Sequence, residues 1–175
     1  MAVAALRLIA LTGAHREEIC GLRWREIDCA SPCLRLETSK TGRSMRPIGK
    51  AALNLLIALP RGENEFVFPN RDGTGGADMK KSLAALFDAA GLTDARSYDL
   101  RRTFASVAAD EGYGDATIGE LLGHARRGVT ARHYIRRPDA ALIAAVDKVS
   151  ERIAAAMDGG ESGDVLSIAK AKVRA

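Results

Sequence analysis

The chain has 175 residues, 47% of them hydrophobic, with a formal net charge of +4 and a pI near 9.1. That apolar share can bury a core, which excludes wholesale disorder, and the length bounds the chain at one domain, or one domain with a tail. The basic balance favours a polyanionic partner. Its arginines are concentrated, since Arg96, Arg101, Arg102, Arg126, Arg127, Arg132, Arg136 and Arg137 crowd one stretch. Taken alone, such a run is a solvated face.

In chain order, Val3 to Leu11 reads as a helix ended by Thr12-Gly13, and a second short helix runs from about Ala14 to Leu22. Leu34 to Thr38 alternates apolar and polar, the period of a half-buried strand. Thr41-Gly42-Arg43-Ser44 is turn material, and Met45 to Ile48 returns antiparallel, with Pro47 at an edge or strand end. Ala51 to Leu59 is helical, Phe66 to Pro69 extended, and Asn70 to Gly76 a loop. Leu83, Leu86, Phe87 and Ala90 form the stripe of a helix that Gly91 stops. Asp99 to Glu111 makes another, and Asp115 is expected to cap a short helix burying Ile118, Leu121 and Leu122. Leu142, Val146, Val149 and Ile153 step as one face of an amphipathic helix after Pro138.

The pattern predicts a mainly α (α+β) domain with a small antiparallel β-sheet, spanning residues 1–157. Residues 158–175 then form a flexible linker and C-terminal tail, with a short helix possible over Val165–Ala175. Cys20, Cys29 and Cys33 are an odd set without a ligand-spaced histidine, so they read as reduced thiols rather than a metal site. The N-terminal apolar stretch is too short to span a bilayer and lacks a signal-peptide cleavage pattern, so no membrane partner and a cytoplasmic location are expected.

Four sets of residues carry chemistry. Thr12-Gly13-Ala14-His15-Arg16-Glu17-Glu18 leads into Leu22-Arg23-Trp24 and Ile27-Asp28. Ser39-Lys40-Thr41-Gly42-Arg43 precedes Arg46-Pro47-Ile48. Tyr98-Asp99-Leu100-Arg101-Arg102-Thr103-Phe104 is the third, and Leu122-Gly123-His124 followed by Tyr134 is the fourth. A phenol, a histidine ten residues before it and dense arginines make a phosphoryl-transfer kit: an attacking oxygen and fixed positive charge, with no need for metal or nucleotide.

In these boxes, their order and their spacing, residues 3–150 resemble the catalytic domain of the tyrosine recombinases, the phage integrase family. The resemblance implies that Tyr134 attacks a DNA phosphate, giving a 3′-phosphotyrosine and a free 5′-hydroxyl. Arg101 would hold the non-bridging oxygens, Lys40 would protonate the leaving 5′-oxygen, and His124 would hydrogen-bond the phosphate or its tyrosine ligand. Arg43, Arg102, Arg126, Arg127 and Arg132 would line the DNA. No cofactor is implied. The partners implied are double-stranded DNA and further copies of the chain in a tetrameric synapse, with a bacterial or phage origin. Glu18 reads as a buried carboxylate paired with a nearby arginine.

Two positions depart from the family's pattern. His15 stands where an arginine is usual, and the register of Glu18, Leu22 and Trp24 leaves no room to slide Arg16 into its place. Tyr98 stands where a histidine is usual; a phenol is a poor base at neutral pH but can donate to a phosphate oxygen. A histidine at position 15 predicts activity that improves as pH falls towards 6. The family's N-terminal DNA-clamping domain has no room before the first box, so a catalytic fragment or a truncated gene product is expected. Three readings stay open: an active site-specific recombinase, a degenerate integrase that binds DNA without cutting it, and a topoisomerase-like nicking and closing activity.

Overall fold

The computed structural model describes residues 1–37, 44–124 and 139–159. The first helix, α1 (Ala2–Thr12), is the axis of the domain, with Ala5, Leu8, Ile9 and Leu11 buried. The helix stops because Gly13 enters the left-handed region at φ 59° and returns its N–H to the Ile9 carbonyl. Thr12 is buried too, its hydroxyl donating back to the Leu8 carbonyl at 2.6 Å and accepting from the Ala14 N–H at 3.2 Å.

After Gly13 the chain runs extended through His15 into α2 (Arg16–Cys20). This helix starts two residues later than the sequence pattern predicts, because His15 is its N-cap rather than part of it. Glu18 closes a capping box by accepting the His15 backbone N–H at 2.8 Å. Ile19 and Leu22 are both buried, although Leu22 lies beyond the helix end. A 3₁₀ turn, Trp24–Glu26, leads into the sheet.

The sheet has three antiparallel strands in the order β1 (Ile27–Asp28), β2 (Cys33–Leu36) and β3 (Ser44–Pro47). The sequence pattern predicts the second and third; β1 is too short for periodicity to reveal. Pro47 ends its strand, opposite Cys33, and Leu34 faces Arg46 across the ladder. Residues 38–43, with Lys40 and Arg43, lie outside the described residues.

Around α1 pack α3 (Lys50–Ala58), α4 (Lys80–Ala89), α5 (Ser97–Asp110) and α7 (Ala140–Met157), with α6 (Asp115–Leu121) against α5 and α7. On α4, Leu83 and Phe87 are buried, but Ala90, at the C-cap, is exposed and drops out of the expected stripe. The α5 helix begins at Ser97 rather than Asp99. Asp99 is its third residue, and its carboxylate accepts the Arg96 N–H at 2.9 Å. Asp115 does not cap α6; Gly114 is the N-cap and Asp115 the first helical residue, where its charge still suits the helix dipole. Asp139 caps α7 by accepting the Leu142 N–H at 2.8 Å.

Ion pairs tie the helices at the surface: Glu111 of α5 binds Lys148 and Arg152 of α7 at 2.6 and 2.7 Å. Cys20 and Cys33 are buried, and burial pushes the Cys33 thiol up to about 11, so it stays protonated at neutral pH. Among the described residues no helix is long and apolar enough to cross a membrane.

Gly13 is where α1, α5 and the end of α6 meet. A Cβ there would lie 2.8 Å from Leu122 Cδ2 and 2.9 Å from Phe104 Cδ1, on a backbone already left-handed. Adding strain of about 1–2 kcal/mol for the left-handed residue to overpacking of about 1–3 kcal/mol, Gly13→Ala should lose roughly 2–5 kcal/mol. Urea unfolding checks this, with a lower midpoint at unchanged m-value as the expected result.

Candidate active site

Arg101 occupies the centre of the site. It lies on the first turns of α5 and is only 6% exposed. Its Nη1 donates to the Gly13 carbonyl, and its Nη2 donates to the Leu122 carbonyl at 3.1 Å and to His124 Nε2 at 3.0 Å. These are neutral acceptors, and they account for three of the five N–H groups of the guanidinium. The other two have no acceptor among the described residues. Burial lowers the pKa of Arg101, with Glu18 opposing that shift, but an arginine so placed keeps its proton.

The contact with His124 fixes a tautomer. A guanidinium can only donate, so Nε2 of His124 accepts and the ring proton sits on Nδ1. His124 is positioned by the turn that ends α6: Gly123 is left-handed at φ 70°, and the His124 N–H reaches the Gly119 carbonyl at 2.8 Å. Burial, Arg101 and Arg46 all lower the His124 pKa, so the ring is neutral at pH 7.

His15 and Tyr98 share a cleft of about 590 Å³ with Arg101. The cleft lies between α2, α4 and the start of α5, and Arg16, Lys80 and Arg96 add positive charge to its lining. His15 is exposed, and its pKa too is lowered, first by burial and then by Arg101. Tyr98 is 62% exposed on the opening turn of α5. Arg16 does not replace His15; it pairs with Glu17 beside it. Arg102 points away from Arg101 into solvent, 3.7 Å from Asp99. The structure thus brings together Arg101, His124, His15 and Tyr98. Tyr134, Arg126, Arg127 and Arg132, like Lys40 and Arg43, lie outside the described residues.

Glu18 does pair with a nearby arginine. The partner is Arg46 of β3, at 2.7 Å, with the carboxylate side chain 9% exposed and the arginine 1%. Sequence reasoning gave Arg46 no role. It stands opposite the buried Leu34, where an aliphatic residue is the ordinary choice, a pairing visible only in the folded sheet. Its guanidinium lies under Gly123, so close that a Cβ on that glycine would come within 3.0 Å of Nη2. Gly123 is therefore needed both for its backbone angle and for the space.

Two depressed histidine pKa values have a consequence for stability. As pH falls below about 6.5 the unfolded chain takes up protons at both positions before the folded protein does. Stability should therefore decline from pH 7 towards pH 5, above the range in which Glu17, Asp28, Asp72 and Glu111, all depressed, begin to titrate. Urea midpoints at half-unit pH steps check this, and His124→Gln should flatten part of the decline.

Comparison with known proteins gives a consistent answer. Residues 2–140 match the model of the phage integrase family. The prophage integrase IntF of Escherichia coli (strain K12) is 27% identical over 145 residues, which are 79% of this chain and 31% of that protein. The chain thus spans about a third of the length of that relative. Among solved structures, the XerA recombinase superimposes with a TM-score of 0.60 at 18% identity, covering 91% of this chain and 57% of that one. The Tn1549 transposon integrase, solved with circular intermediate DNA, gives 0.55 at 15% identity over 79% of this chain and 54% of that one. At such identities the likeness is one of fold, and the sequence match over most of the chain settles the rest: it belongs to the phage integrase family.

Proposed function

We propose that this chain is a DNA strand transferase that cuts and rejoins duplex DNA through a tyrosine-linked intermediate. Tyr134 loses its phenolic proton to solvent as its Oη attacks a backbone phosphorus, the bond from phosphorus to the 5′-oxygen breaks, and Lys40 gives a proton to the departing oxygen. The 3′-phosphotyrosine keeps the phosphodiester linkage, so attack by a 5′-hydroxyl reverses the step without nucleotide or metal. Arg101 holds the non-bridging oxygens as charge builds on them, His124 steadies that guanidinium through Nε2, and Tyr98 donates a hydrogen bond to the phosphate or the tyrosyl oxygen. His15 faces the same oxygens, while Arg43, Arg102, Arg126, Arg127 and Arg132 contact the DNA backbone. Assembly of several copies on DNA would pair two duplexes for exchange.

The observation that carries this reading is the Arg101 guanidinium, buried and held by two backbone carbonyls and His124, with two N–H groups unclaimed among the described residues. A cation anchored this firmly through neutral acceptors is preorganised for an oxyanion. The test is covalent trapping on supercoiled and nicked DNA, followed by peptide mapping. A denaturation-resistant adduct on the peptide containing Tyr134 is expected, and binding without any adduct would overturn the enzyme reading.

A second reading has its own support. His15 is kept neutral by burial and by Arg101, so the position that is usually a permanent cation carries none at pH 7. A binding relic would bind DNA with a steep salt dependence and form no adduct.

A further inference from the structure

Arg46 is unlike the other buried groups of the site. It is 1% exposed, yet among the described residues its Nε and Nη1 have no hydrogen-bond partner, and its one ion pair there is to Glu18 through Nη2. Stability is a weak reason for such a residue. An aliphatic side chain opposite Leu34 would leave no donor unsatisfied, and buried ion pairs exchanged for apolar residues are often neutral or stabilising.

Its location suggests a different purpose. Glu18 Oε2 accepts both the His15 N–H and Arg46 Nη2. The Gly13 carbonyl, two residues before His15, accepts from Arg101. Arg46 also lies against Gly123, between the Leu122 carbonyl and the His124 ring that both accept from Arg101. One buried carboxylate therefore stands beside two guanidinium groups, within electrostatic reach of both, and bonds to only one of them.

We propose that Arg46 is a positioning residue: by holding Glu18 it keeps that carboxylate off Arg101 and leaves the Arg101 charge available to an anionic phosphate. The inference rests on the reading of Arg101 as a phosphate-binding group. Among the described residues, and with Arg46 in place, the charged or titratable groups facing Arg101 are Glu18, already engaged, the Arg46 cation itself, Tyr98, and the neutral His15 and His124. Without Arg46, Glu18 turns to Arg101, and the cation that should meet the phosphate is neutralised from within the protein.

The test follows binding of inorganic phosphate by the ring resonances of His15 and His124; the chain has only three histidines, which makes assignment simple. Arg46→Met should weaken phosphate binding tenfold or more, as Arg101→Met does. The decisive variant is Arg46→Met with Glu18→Gln, which removes the competing carboxylate and should return affinity to within threefold of wild type. A role in packing alone would not be repaired by that second substitution. Glu18→Gln by itself should bind phosphate at least as tightly as wild type, and it decides the matter if Arg46→Met does not fold. Unchanged affinity in folded Arg46→Met, a double variant as weak as the single one, or loss of affinity in Glu18→Gln would each overturn the role of Arg46. Absence of any phosphate response in wild type would overturn the reading of the site itself.

Discussion

Tyr134→Phe should form no covalent adduct with DNA while binding duplex with the affinity and salt dependence of the wild type. The substitution removes one oxygen and leaves the ring, so a role in packing is preserved and a role as nucleophile is abolished. Phenol chemistry makes the expectation sharp. With a pKa near 10, the hydroxyl is almost wholly protonated at neutral pH and attacks only where cations stabilise the developing charge. The phenylalanine ring carries no attacking oxygen, so loss should be complete rather than partial. The measurement is denaturing electrophoresis of labelled duplex after trapping, paired with binding isotherms at several salt concentrations. An adduct surviving in Tyr134→Phe would mean another nucleophile. Equal loss of adduct and binding would mean that the tyrosine holds structure instead.

Much of this arrangement was legible in the sequence, and the reasons for the gaps are physical. The helices were readable because their apolar residues recur at helical spacing, as in Leu142, Val146, Val149 and Ile153, three of which are buried. Their starts were less readable. His15 and Arg96 are backbone N-caps whose partners, Glu18 and Asp99, lie three residues inside, so the carboxylate marks the third position rather than the first. Strand β1 has two residues and no period to detect. Within the site, Arg101 and His124 were marked by their boxes, but the bond between them joins residues 23 apart and exists only once α5 and α6 pack. Arg46 was missed because a basic residue next to a proline reads as a solvent-facing strand end. Only the ladder shows it facing inwards, opposite Leu34.

The same geometry explains why the glycines in two of the boxes stand where they do. Gly13 supplies a carbonyl to Arg101 from a left-handed turn that no side chain fits, and Gly123 leaves room for Arg46. The Arg101 guanidinium is thereby held by backbone from two separate turns before any ligand arrives. Preorganisation of this kind favours the transition state, because the reaction does not have to reorient the charge that stabilises it.

His15→Arg should raise the rate of adduct formation by about 10²–10³, the usual worth of one preorganised donor to an oxyanion. The backbone permits the change: position 15 is an extended N-cap whose N–H binds Glu18, and its side chain opens into the cleft that Arg101 also lines. Wild type has a neutral imidazole there, because burial and the adjacent Arg101 both disfavour its proton. That corrects the pH expected from sequence. In the free protein, protonation of His15 sets in below the ordinary histidine value, so gain in rate should begin under pH 6.5 and extend lower than pH 6. A bound phosphate opposes the shift, so with DNA present the rise should lie at higher pH than histidine titration of the free protein would suggest. In His15→Arg the cation is permanent, and this acid-side rise should vanish. Single-turnover adduct formation from pH 5.5 to 8 in both proteins measures rate and pH profile together. Equal rates and equal profiles would mean that Arg101 alone carries the phosphate, with position 15 a bystander. A faster variant with a flat profile would identify His15 as the group that limits adduct formation at neutral pH.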